Sequence, residues 1–132
     1  MNRVVAHFQD GRLLKGLTYD FLPSRDFFHL TAADAAPGAR PVKIRVAELK
    51  AIFFVKSFAG DPQRPQANEE AAPEPGAGRR IRIVFKDGEV LVGTTQGYDR
   101  SRHGFFVVPV DRESNNERCF VVAVATQEVA FL

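Results

Sequence analysis

The chain has 132 residues, 45% of them hydrophobic and 26% charged, with a formal net charge of +2. That length allows one ordinary domain or two very small ones, and the composition excludes disorder along the whole chain. No apolar run approaches the roughly 18 residues of a membrane helix, and charges interrupt every apolar stretch of MNRVVAHFQDGR, unlike a secretory signal.

The predicted elements begin at once. Val4, Ala6 and Phe8 alternate with Arg3, Val5 and His7, the period of a strand with one face inward. Asp10-Gly11 then signals a hairpin, because glycine supplies the positive φ a tight turn needs. A long strand over residues 12–21 contains Gly16, and glycine inside a strand marks a bend or a close backbone approach. A third strand covers residues 26–32, and polar residues around Pro37-Gly38 lead to strands at 42–46 and 51–58. The gap at 47–50 fits a tight turn or one helical turn.

Residues 59–78 hold four prolines, small residues and acids, the composition of an exposed linker. The strand pattern then returns. Ile81, Ile83 and Phe85 alternate, Asp87-Gly88 follows, and residues 89–98 form a strand with Gly93 inside. Further strands are predicted at 104–110, 119–125 and 128–132.

The second series repeats the first. A shift of 77 positions lays residues 3–31 on 80–108 without a gap, and ten of these 29 positions are identical. They include Phe8/Phe85, Asp10/Asp87, Gly11/Gly88, Gly16/Gly93 and Arg25/Arg102. The same shift pairs Ile52 with Val129 and Phe54 with Phe131. Self-similarity of this kind reads as two homologous units, 1–58 and 79–132. Each is about 55 residues, marginal for independent stability, so the two are predicted to pack together, largely through phenylalanine.

The strings VVAHFQDGRLLKGLTYDF…FFHL and IRIVFKDGEVLVGTTQGYD…GFFVV resemble the first motif of Sm-like proteins. The resemblance implies an all-β fold: two tandem, strongly bent five-stranded barrels of Sm-like (Src-homology-3-like) type, packed together. The second Sm motif is replaced by IRVAELKAI and VVAVATQEV. DGRLLKG…FFHL followed by LKAIFFVKSFAGD also resembles a bacterial domain family of unknown function, which implies a cytoplasmic accessory domain. Finally, Asp99, Ser101 and Gly104 resemble half of the cyclic-di-GMP motif of PilZ domains, while the paired arginines of its other half are absent.

Little in the sequence points to catalysis. His7, His29 and His103 are scattered and Cys119 is alone, so no metal site is predicted, and no internal disulfide can form. Asp10 and Asp87 sit in turns, where aspartate is favoured for local geometry. Arg25 and Arg102 precede the third strand of each unit, where a guanidinium beside an aromatic ring can grip phosphate while a base stacks. Arg79, Arg80 and Arg82 form the densest basic cluster. The expectation is therefore a cytoplasmic, non-enzymatic binding or scaffold protein without cofactor. Its partner is predicted to be another protein, with single-stranded RNA and then cyclic-di-GMP as alternatives. Self-association through exposed strand edges is a further expectation.

Overall fold

The computed structural model describes residues 2–58, 78–98, 102–110 and 115–132. The expected linker over 59–78 lies outside the described residues except for Gly78. Among the described residues there are ten strands: β1 (Asn2–Phe8), β2 (Leu13–Thr18), β3 (Phe27–Ala32), β4 (Val42–Arg45), β5 (Leu49–Val55), β6 (Arg79–Phe85), β7 (Val90–Thr95), β8 (Gly104–Pro109), β9 (Asn116–Val122) and β10 (Thr126–Phe131).

They form one antiparallel sheet in the order β10-β6-β7-β8-β9-β5-β1-β2-β3-β4. The first five strands run β5-β1-β2-β3-β4, and the last five repeat that order as β10-β6-β7-β8-β9. The registers agree as well: Val4 faces Gly16 on β2, and Ile81 faces Gly93 on β7. Two barrels were expected from the sequence. The described ladders instead make a single open sheet, because the strand that would close the first set, β5, pairs with β9 of the second.

The hairpin turns follow their sequence signal. Gly11 N–H donates to Phe8 C=O and Gly88 N–H to Phe85 C=O, with φ of +94° and +93°. Each aspartate fixes its own turn: Asp10 Oδ1 accepts from Arg12 N–H at 3.0 Å, and Asp87 Oδ1 accepts from Glu89 N–H at 3.0 Å. Gly16 and Gly93 do not have positive φ; they are the crowded case. A Cβ on Gly16 would run into the Thr31 carbonyl and Leu30, and one on Gly93 into the Val108 carbonyl and Val107.

The second and seventh strands stop at Thr18 and Thr95, short of the expected 21 and 98, and the fifth and ninth are shifted. The fifth runs Leu49–Val55 rather than 51–58, and the ninth Asn116–Val122 rather than 119–125. The cause is a single 3-10 turn before the last strand of each half, Val46–Glu48 and Ala123–Ala125. In the second, Thr126 Oγ1 donates to Ala123 C=O at 2.6 Å.

Alternation along the central strands builds two cores. Ala51, Phe53 and Val55 join Ile81, Ile83, Phe85, Phe105, Val107 and Val121. Ile52 and Phe54, pointing the other way, join Val4, Ala6, Phe28, Leu30 and Ile44. Phe120 and Val122 of β9 complete that second group. A strand has two faces, and both faces of β5 are buried along its whole length. The halves thus share apolar surface, each supplying side chains to the other's core.

Candidate binding surfaces at the junction of the halves

The seam between β5 and β9 sets Ala51 opposite Val121, Ile52 opposite Phe120, Phe53 opposite Cys119 and Phe54 opposite Arg118. Asn115 extends it, accepting from Ser57 N–H and donating to Ser57 C=O at 2.9 Å.

At one end of the seam stands Lys50, its side chain only 9% exposed. Its ammonium meets Asp87 at 2.7 Å and Glu89 at 2.8 Å, both on the β6–β7 turn, and lies 4.7 Å from the Phe85 ring centre. Burial lowers the Lys50 pKa, but the two carboxylates outweigh it and hold the group above its ordinary value. The Lys50 hydrogen bond, with the Glu89 N–H, pulls Asp87 below the usual carboxylate range. His7 packs on Phe53 at 4.5 Å beside this pair. Burial first, and the Lys50 charge second, push its pKa down. A lysine inside an apolar strand is rarely buried unless paired. That was the available sequence signal for this contact, but its partners lie 37 and 39 residues away and no local pattern names them.

Toward the other end is a cleft of about 450 Å³, lined by Phe105, Phe106, Val108, Arg102 and Arg118, with Pro23 from the first half. The β2–β3 loop builds one wall. Phe21 projects from it to within 5.1 Å of the Phe120 ring and 6.2 Å of Phe106, while also touching Phe28 and Phe54. Arg118 is exposed, and its guanidinium lies over both Phe54 (4.4 Å) and Phe106 (4.6 Å). Stacking holds the plane of a guanidinium and leaves its N–H edge for a carboxylate or phosphate.

Of the predicted arginines, Arg102 lines this cleft and Arg25 does not. Arg25 instead stacks at 5.1 Å on Phe27, which also carries Lys43 at 4.4 Å. The β3–β4 register sets Phe27 beside Arg45 and His29 beside Lys43. His29 is held by Asp20 at 2.8 Å. Burial acts to raise the Asp20 carboxyl, but the hydrogen bonds and charge of His29 together outweigh it and bring the group below its ordinary value. This outer face of the first half is cationic; in the second half Phe106 stands where His29 does, with Arg118 over its ring. Successive residues of β6 face opposite ways, so Arg80 and Arg82 share one face and Arg79 lies on the other. Arg79 stacks on Phe131 at 4.0 Å, and Arg80 is half-buried. Asp99 and Ser101 of the cyclic-di-GMP half-motif lie outside the described residues.

Residues 1–132 match the model of DUF6982, a family of unknown function. The chain belongs to that family. The match spans the whole chain and agrees with the resemblance carried by DGRLLKG, FFHL and LKAIFFVKSFAGD. No curated protein and no solved structure matches the chain, so the Sm-like resemblance rests on the sequence pattern alone. Among the described residues, no helix is long and apolar enough to cross a membrane.

Proposed function

We propose that this member of the family is a non-catalytic binding protein whose cleft takes up a segment of another protein. An apolar side chain of the partner packs against Phe106 and Val108, and a carboxylate meets Arg118 and Arg102. The carrying observation is Arg118, exposed yet held across two phenyl rings at the cleft wall. A preset guanidinium loses little freedom on binding, which favours recognition. The reading includes a strong Sm-like curl of each half around its own core, supported by the close approaches at Gly16 and Gly93.

The test is affinity purification from cells with the parent, Val108→Glu and Arg102→Ala/Arg118→Ala. A partner that survives nuclease treatment and is lost with both variants supports the cleft. Equal recovery by all three proteins overturns it.

A second reading, single-stranded RNA binding, is favoured by the Phe27 face, where Arg25 and Lys43 flank one ring and Arg45 sits opposite. It predicts retention of single-stranded RNA that falls with salt, with a shallower slope in Arg25→Ala/Lys43→Ala.

A further inference from the structure

Among the described residues, two strands have an unpaired edge, and they are not an arbitrary pair. The sheet ends in β10 on one side and β4 on the other. The 77-residue shift makes β10 the counterpart of β5 and β4 the counterpart of β9. These counterparts, β5 and β9, form the seam that joins the halves. We infer that β10 of one copy of this chain binds β4 of a second copy, repeating between molecules the seam made within each.

The register follows from the internal one. Ala51 opposite Val121 becomes Glu128 opposite Ile44. Ile52 opposite Phe120 becomes Val129 opposite Lys43, and Phe53 opposite Cys119 becomes Ala130 opposite Val42. Burial shows what β10 lacks. Every residue of β5 is buried, whereas β10 leaves Phe131 36% exposed, and Val42 on β4, the residue that this register sets opposite Ala130, is 48% exposed. An edge with open backbone groups and exposed apolar side chains is a template for strand pairing.

The aromatic anchor of the seam recurs too. Tyr98 occupies the place of Phe21 and packs 4.8 Å from Phe105 and 5.6 Å from Phe131, as Phe21 packs on Phe28 and Phe54. Phe21 continues across the seam to Phe106 and Phe120. In a second copy the residues at those positions are His29 and Lys43. Charge sets the direction. β4 carries Lys43 and Arg45 and β10 carries Glu128, so a β4–β4 pair would bring like charges together and a β10–β4 pair would not.

The buried ion pair does not recur. Gln127 stands where Lys50 does, and Arg12, where Glu89 does, already binds Asp10 at 2.7 Å. The contact between copies is therefore weaker than the internal seam and depends on concentration. Because the two edges differ, it joins molecules head to tail, in a ring if the rotation closes and in an open chain if it does not.

Sedimentation velocity of the full chain over a hundredfold concentration range tests this. The weight-average mass should rise from the 14.7 kDa monomer, and a constant monomer mass at every concentration overturns the inference. Val42→Cys and Ala130→Cys fix the register. Both positions are on open edges, and circular dichroism checks that each variant is folded. Under mild oxidation, a mixture of the two should yield a Val42→Cys/Ala130→Cys disulfide dimer, in excess over either variant linked to itself. Preferential self-linkage of either variant, or no cross-link in the mixture, refutes the β10–β4 pairing.

Discussion

At Gly16 and Gly93 the missing side chain lets the neighbouring strand's carbonyl approach β2 and β7 more closely than any Cβ would permit. Backbone cannot move aside as a flexible side chain can. Gly16→Val and Gly93→Val should each lower unfolding free energy by about 2 kcal/mol in urea titrations, the usual cost of overpacking. His7 contributes a pH dependence. Burial and Lys50 depress its folded pKa, so below its ordinary value of about 6.5 the unfolded chain takes up a proton that the native chain does not. Stability is full above that pH and falls as pH drops toward the lowered native value. His7→Gln should flatten the dependence of the urea midpoint on pH between about 7 and 5. The Asp87 contribution belongs to stronger acid. Its depressed carboxylate stabilises the fold above about pH 3.9 and loses that effect as pH falls through the native value.

At the scale of elements, the β2–β3 loop is a bridge as much as a connection, because Phe21 touches Phe28 of the first half and Phe120 of the second within one core. Phe21→Ala should cost about 2 kcal/mol, below the range of a fully buried phenylalanine because the ring is only half-buried. Native-state hydrogen exchange should show the added opening at β8 and β9 as well as at β3. The strands themselves were legible in the sequence, since alternation and the Asp-Gly turns depend on neighbours only. The pairing of β5 with β9 was not. Two homologous strand patterns predict two self-contained units equally well, and nothing in the local periodicity of LKAIFFV distinguishes a strand buried on one face from one buried on both. Arg102 was legible as a candidate through the repeat. Arg118 was missed, because its counterpart in the first half is Pro41 and the cleft exists only where the halves meet.

For the molecule as a whole, two cores that draw on the same three strands cannot melt one at a time. β5 delivers Phe53 to one core and Phe54 to the other. Calorimetry should therefore show one transition, and residues 2–58 expressed alone should fail to fold. Co-expressed with 78–132, they should reassemble through the seam into a complex of native spectrum. Two separate transitions, or a folded 2–58 fragment, would contradict the shared-strand account.

Cys119 sits at the middle of that seam, fully buried opposite Phe53, and burial drives its thiol pKa far upward. The reactive thiolate is thus suppressed and the sulfur sealed at the same place. The chain carries a built-in reporter: an alkylating agent can modify its single cysteine only after the halves part. The rate of modification in native buffer then measures how often they separate, without any label being introduced.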